Sequence, residues 1–557
     1  MSKEPPIAPS AAQVSVIVIG FNDAEHIADA VLSALRQGTP VAEVIAVDDA
    51  STDRTPEVLA ELAARHARIR VIRRTTNSGG CGSPRNDGLR AATAPYVMFL
   101  DSDDVLEPGA AEALFTAADR HGAQVVAGRS VRRELPQGRD VPWQSALFVR
   151  EAVYASPAGL PRMVRDTLCV NKLYDRAFLS EHSIAFPEGA FRYEDFVFTA
   201  RVLAAGPRIA LIPDTVYIWH VRRAAQRASI SLARDDIGNW RGRLAAHRLA
   251  VETFEEAGQK LLAHAAQVKF LDHDLRMYVR ELGTRSPGHR AEWWRLTRAH
   301  LAPFDVSVLR AARAPARWIA RVVLASAEPR DLGRLAELAN RPARLLPPYA
   351  RVAGRPVWDV DLPEVELDGI DTKPLHRLPV LVEAEPRLAG RARPSLLRVT
   401  VRVHELYGRL AAAHPLTADV ELRHRGDGRL GMTRDAALNP GPSRTPGGAS
   451  GAGPATWTAE ALVNLGALAS AGSAEMDVWD IRVRVRFADD LSLYAAARAV
   501  GPGLRRLAVP DRRHGLVLAQ PHATTGGSLA LRVAAGPRAA AGVAARRLRR
   551  LRRAWNR

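Results

Sequence analysis

Short apolar runs alternate with helical repeats at the start of the chain. Val14–Ile19 (VSVIVI), Val44–Val47, Ile69–Arg73 and Tyr96–Leu100 have the length and branching of buried strands. After the first run, Ile27, Val31 and Leu35 recur at four-residue spacing, which predicts a helix capped by Asn22 or Asp23 and ended by Gly38 and Pro40. A second helix is expected to end near His66. This β-α-β-α-β rhythm predicts a parallel sheet with right-handed crossovers, and the polar residues that end each strand collect on one edge.

The pattern changes twice further on. From Asp236 to about Leu345 it is helical, with Leu261, Leu262, His264, Ala265, Val268 and Leu271 at helical spacing and Trp293, Trp294 and Trp318 as core bulk. Beyond Pro347-Pro348 it alternates: Leu397–Val403 (LRVTVRV) and Ile481–Phe487 (IRVRVRF) are apolar on one side and basic on the other. With the Gly/Pro/Ser-rich loop from Asn439 to Pro454, these strands predict a β-sandwich. For each strand taken singly, ordinary solvated surface is a better reading of the arginines than a stripe for a polyanion. At the end of the chain, Leu548, Leu551 and Trp555 share a helical face amid arginines, a pattern suited to an anionic membrane surface.

Length and charge narrow the class. A chain of 557 residues is too long for one core and suggests two to four domains. A net charge of +18, from 78 basic and 60 acidic residues, favours anionic partners. No helix-turn-helix, RNA-binding or zinc-finger signature accompanies that charge, so nucleic acid is not the expected partner. The two cysteines, Cys81 and Cys169, make no disulfide framework and fit a reducing interior. Neither a hydrophobic signal core nor a membrane-length apolar run occurs, so the expected location is the cytoplasm, at the inner face of the membrane where the basic tail would bind.

The candidate chemistry lies on the polar edge. On an extended backbone Asp101 and Asp103 would point to one side and Ser102 to the other. Two such oxygens suit Mg²⁺ or Mn²⁺, with the other positions left to water and phosphates; the competing reading is an acidic turn capping the helix near Pro108. Asn77–Asn86 brings three glycines and Arg85 together, which suits an anion, yet it is neither a P-loop nor a Rossmann fingerprint. Glu194 and Asp195 open a helix, either as a general base and its support or as acids stabilised by the helix dipole.

The ordered series GFND, VDDASTD, NSGGCGSPRN, FLDSDD and YEDF resembles the nucleotide-sugar-binding half of family 2 glycosyltransferases with the GT-A fold, over roughly the first 230 residues. The resemblance implies nucleoside contacts at Phe21, Asn22 and Asp48 or Asp49, with Asn77 and Arg85 as further nucleotide contacts. It implies metal and diphosphate binding at Asp101 and Asp103, joined by Ser102, and a base at Asp195 supported by Glu194. It also implies a basic segment closing over the diphosphate, with Arg222, Ser229 and Ser231, and His220 in the metal shell or on phosphate. The family's ARN reads Pro84-Arg85-Asn86 here. A GT-A domain (1–235), a helical connector (236–346), a β-sandwich (347–537) and a basic tail (538–557) together resemble wall teichoic acid glycosyltransferases. The implied activity is inverting, Mn²⁺- or Mg²⁺-dependent transfer from a UDP-sugar to a hydroxyl of an anionic polymer, with homo-oligomerisation through the sandwich. The alternatives are a glycosyltransferase of capsule or other surface polysaccharide, and a non-catalytic nucleotide-sugar or polyanion-binding module.

Overall fold

Every residue of β1 (Val14–Gly20) is buried, as a strand with neighbours on both sides and helices over both faces requires. It pairs in parallel with β2 (Val41–Asp48) and β4 (Tyr96–Asp101), and β2 pairs in parallel with β3 (Ile69–Arg73). The register puts Gly20 opposite Asp48, Asp48 opposite Arg73 and Ile19 opposite Asp101. The carboxyl ends of these strands therefore finish level, and their polar residues meet along one edge.

The computed structural model describes residues 13–136, 138–222, 234–390, 395–441, 455–472 and 476–536. It divides into two units, residues 1–274 with 285–312 and residues 275–284 with 313–557, so the helical stretch is shared between them. In the first unit the sheet continues past β4 with β5 (Val105–Leu106), β6 (Val125–Leu135), β7 (Arg139–Pro142), β8 (Ala152–Tyr154), β9 (Lys172–Asp175) and β10 (Ile209–Arg222). The strand order is β3-β2-β1-β4-β9-β6-β10-β5, with β7 on β6 and β8 on β10. Strand β9 runs antiparallel to both β4 and β6, so the sheet is mixed beyond its parallel half.

Helices α1 (Ile27–Leu35), α2 (Thr55–Arg65), α3 (Gly82–Ala91) and α4 (Ala110–His121) carry the crossovers. Neither Asn22 nor Asp23 caps α1 with its side chain: His26 holds the cap position, and the Asp23 carboxylate is drawn to the His26 ring at 2.6 Å. Helix α3 lies so close to the sheet that a Cβ on Gly88 would sit 2.3 Å from Ile17 Cγ2, and so close to the loop around Pro187 that one on Gly82 would sit 1.9 Å from the Pro187 carbonyl oxygen. After the short α5 (Arg176–Glu181) comes α6 (Glu194–Ala204), which is anchored through Phe198. That ring stacks on Phe186 at 3.9 Å and meets Phe99 of β4 edge-on at 5.6 Å. Helices α7 (Ile237–Glu256), α8 (Lys260–Lys269), α9 (Pro287–Leu301) and the short Val306–Ala311 complete the unit, with Trp240 stacked on Trp293 at 5.4 Å.

The second unit combines the helices Arg276–Leu282, Ala314–Ala325 and Leu332–Ala339 with a β-sandwich. Its sheets have five and seven strands, almost all antiparallel. On Leu396–His404 the residues Leu397, Val399, Val401 and Val403 are fully buried, and Ile481, Val483, Val485 and Phe487 repeat this on Asp477–Phe487. Several arginines between them face acids on neighbouring strands. Arg402 pairs with Glu385 at 2.8 Å, Arg484 with Glu421 at 3.0 Å and Arg486 with Asp419 at 2.7 Å. Among the described residues no helix is long and apolar enough to cross a membrane. The basic tail, most of the Asn439–Pro454 loop, and Ser229 and Ser231 lie outside the described residues.

Candidate active site

The residues expected to meet a nucleoside form one hydrogen-bonded turn cluster. Asn22, at φ 50°, accepts on Oδ1 from the amides of Thr52 at 2.7 Å and Asp53 at 3.3 Å. Asp48 is fully buried, 3.3 Å from the Ser51 amide. Asp49 binds the glycine-rich loop: it accepts from Asn77 Nδ2 at 3.0 Å, from the Ser78 amide at 3.1 Å and from Ser78 Oγ at 2.8 Å, and it pairs with Arg74 at 2.9 Å. Asp49 and Asn77 therefore hold each other, while Phe21 stands half-buried at the same turn.

The chain leaves the strand at Asp101 and turns through Ser102 and Asp103, so the strict strand alternation expected for this stretch does not hold. Ser102 Oγ donates to Asp23 Oδ2 at 2.6 Å, which ties the first turn to the fourth. Asp103 is half open to solvent, and its carboxyl is pushed up to about 6 by burial and by the charges of Asp101 and Asp23, against the pull of Arg222. The Asp103 carbonyl accepts from Arg222 Nη1 at 2.8 Å and lies 3.1 Å from His220 Nδ1. Burial holds the His220 imidazole below its ordinary range, which favours the neutral ring. Asp104 turns inward: Tyr217 OH donates to it at 2.6 Å and the His220 amide at 2.7 Å. Asp101, Asp103 and Asp104 thus crowd one turn, and a divalent cation on the two outer carboxylates would relieve that repulsion. Those two supply hard oxygens and leave positions for water and phosphate, which suits Mg²⁺ or Mn²⁺. Among the described residues no set of three His, Cys, Asp or Glu side chains is arranged as a complete cage.

Arg85 joins this turn to the start of α6. It is 3% exposed; Nη1 donates to Glu194 Oε1 at 2.5 Å and Nη2 to Asp101 Oδ1 at 2.6 Å. Both terminal nitrogens of this expected nucleotide contact are thus engaged by acids. One guanidinium holds the Asp101 and Glu194 carboxylates together. Asp195 follows, and burial and the neighbouring Glu194 charge push its carboxyl up to about 7, opposed by Arg85 and Arg243. Tyr193, at φ 66°, makes the sharp entry to α6 and donates its hydroxyl to Asn239 at 2.7 Å.

Reading the residues one by one missed the support under α6. The Arg243 guanidinium lies 4.5 Å from the Tyr193 ring centre and 4.3 Å from that of Phe196, and Lys269 Nζ lies 4.2 Å from the Phe196 ring. Both cations converge on the buried Asp274, Lys269 at 3.0 Å and Arg243 through a two-nitrogen ion pair. Asp104 and Tyr217 were also missed. For Asp104 a signal was present, because it stands in the same acidic run.

Comparison with known proteins bears on the family and the fold. The sequence model described as "Glycosyl transferase family 2" matches residues 15–178. Glycosyltransferase GlyG of Streptococcus pneumoniae is 31% identical over 233 residues, 40% of this chain and 76% of GlyG. The succinoglycan biosynthesis protein ExoO of Rhizobium meliloti is 30% identical over 232 residues, 40% of this chain and 64% of ExoO. The poly(ribitol-phosphate) beta-N-acetylglucosaminyltransferase TarS of Staphylococcus aureus is 31% identical over 217 residues, 39% of this chain and 36% of TarS. The chain thus spans between about a third and two thirds of the length of the last two relatives. The crystal structure of S. aureus TarS superposes with a TM-score of 0.52 at 18% identity, covering 94% of this chain and 86% of TarS, which is a likeness of fold. From the ordered motifs, the GT-A-like sheet that carries them and the match to GlyG, the chain belongs to glycosyl transferase family 2.

Proposed function

We propose that the chain is an inverting, divalent-metal-dependent glycosyltransferase that moves a sugar from a UDP-sugar to a hydroxyl of a teichoic-acid-like poly(polyol phosphate). The observation that carries this reading is the Arg85 bridge, with Asp101 at 2.6 Å on one side and Glu194 at 2.5 Å on the other. It keeps the carboxylates suited to a diphosphate site next to the pair suited to a base. Asp101 and Asp103 would hold Mn²⁺ or Mg²⁺, which neutralises charge on the departing diphosphate. Asp195 takes the proton of the acceptor hydroxyl as its oxygen attacks the anomeric carbon, and the diphosphate leaves with the electrons of the broken bond. A carboxyl poised near neutrality is suited to that exchange. Asn22 and the Asp49–Asn77 pair shape the nucleoside end, and Arg222 and His220 stand beside Asp103 where the diphosphate would lie.

The acceptor rests on the similarity to TarS, and that to ExoO makes another surface polysaccharide the second reading. The test is transfer from a series of UDP-sugars to poly(polyol phosphate) and to surface glycans, with Mn²⁺ and with chelator. Asp195→Asn is expected to lower transfer by about 10²–10⁴-fold while UDP still binds. Transfer by Asp195→Asn at the wild-type rate, or full activity in chelator, overturns the mechanism.

A further inference from the structure

A cavity of about 240 Å³ opens in the second unit between the start of the helix Ala314–Ala325 and the strand Ser492–Ala496. This is far above the ~10–15 Å³ that admits a single water. Its lining is cationic, with Arg344, Lys373, His376 and Arg377. The side chains of Lys373, His376 and Arg377 form no hydrogen bond or ion pair with any described residue. The neighbouring acid, Asp368, is already engaged by Arg317 at 3.1 Å, Arg321 at 3.1 Å and Trp318 Nε1 at 3.2 Å. Arg344 is 1% exposed, and its two terminal nitrogens are held by Glu337 at 3.1 Å and Ser528 at 2.6 Å, while its Nε is buried with no partner. The helix begins at the cavity with Arg313 as its cap residue and no side-chain cap, so the positive end of its dipole adds to the same field. Tyr494, 54% exposed, stands at the lining and offers an aromatic surface to a carbon chain.

Lys373 and Arg377 have no acid of their own, because Asp368 is committed to Arg317 and Arg321 and Glu337 to Arg344, so the lining keeps basic charge that suits an anion. We propose that this cavity binds a phosphate ester carried on a small polyol, as a site separate from the catalytic unit. Lys373 and Arg377 neutralise the phosphate, His376 borders it, and the wall with Tyr494 takes the carbon skeleton. Burial, then the charges of Arg317 and Arg377, draw the Lys373 ammonium below its ordinary range against the pull of Asp368. A bound phosphate would reverse that repulsion. The same chemistry is met by a free polyol phosphate and by one repeat of a polymer. The choice of a polyol rests on the acceptor proposed above, whereas the site itself is defined without reference to Asp195.

The test is calorimetric titration of the full chain at fixed salt with glycerol phosphate and with a poly(glycerol phosphate) oligomer. The variants are the Lys373→Ala/Arg377→Ala double, Lys373→Arg, and an Arg505→Ala/Arg506→Ala double that removes equal charge elsewhere in the unit. Affinity is expected to fall at least about tenfold in the first double, to persist in Lys373→Arg and to stay at the wild-type value in the third. Binding of the monomer identifies a free phosphate ester as the source, and binding of the oligomer alone identifies a polymer. Equal loss in the two doubles, which signals diffuse attraction, or no binding of either probe by the wild type, overturns the proposal. Transfer to a short acceptor is read in parallel, so failure of this site and failure of the catalytic reading are told apart.

Discussion

Replacing Arg85 with methionine should weaken the first unit and disable its chemistry by one cause. The guanidinium is 3% exposed and neutralises two carboxylates, Glu194 at 2.5 Å and Asp101 at 2.6 Å. Removing one partner of a buried ion pair costs about 3–5 kcal/mol, because the remaining charge is left desolvated. The Glu194 and Asp101 side chains keep 12% and 33% exposure, and water reaching them argues for the lower end, about 3 kcal/mol. At about 2 °C per kcal/mol for a large unit, the melting temperature should fall by about 6 °C. The second effect is on Asp195, whose carboxyl already sits at about 7 with Arg85 opposing the rise. Without that cation it rises further, less of the proposed base is ionised at neutral pH, and the acid limb of the transfer rate is expected to move to higher pH. A one-unit move lowers the rate below the limb about tenfold and is recovered by raising the pH. Arg85→Lys keeps a charge but not the two-pronged grip, so it should fall between the two. Differential scanning fluorimetry and a pH–rate profile read both effects. A melting temperature within about 1 °C of wild type, together with an unmoved acid limb, would refute the reasoning.

Two further outcomes follow from geometry already described. For the wild-type chain, Asp195 as the proposed base would have to lose its proton to act, so transfer should rise about tenfold per pH unit below about 7 and level off above it; a rate flat from about pH 5 upward contradicts this. Gly82→Ala should destabilise the first unit by about 1–3 kcal/mol, because its Cβ would sit 1.9 Å from the Pro187 carbonyl oxygen, and backbone cannot rotate aside; an unchanged urea midpoint counts against so close an approach.

Much of the parallel half was legible because strands buried on both faces are written as unbroken apolar runs. The third strand, Ile69–Arg73, was read to its ends, and the fourth extends one residue beyond the apolar run to Asp101. The mixed half was not legible. Strand β6 passes from VVAG into RSVRREL with no clean period, and the four residues of β9 are too short to carry one. Strand parity was misleading just past Asp101, where the chain turns and Asp104 swings inward to Tyr217, 113 residues away. Separation in sequence also hid Asp274, whose grip on Arg243 spans 31 residues. Arg85 was visible as a phosphate-seeking residue, but its two acidic partners come from elements that only the fold brings together.

The acids beneath the arginine-bearing strands of the sandwich make its tolerance of substitution lopsided. Asp419 serves both Arg484 at 3.2 Å and Arg486 at 2.7 Å, and Glu421 serves both Arg423 at 2.8 Å and Arg484 at 3.0 Å. Loss of a single arginine leaves its acid still matched, whereas loss of Asp419 leaves Arg486 without an acid and loss of Glu421 does the same to Arg423. Drift in this unit should therefore wear away the numerous basic residues first and spare the few acids between them.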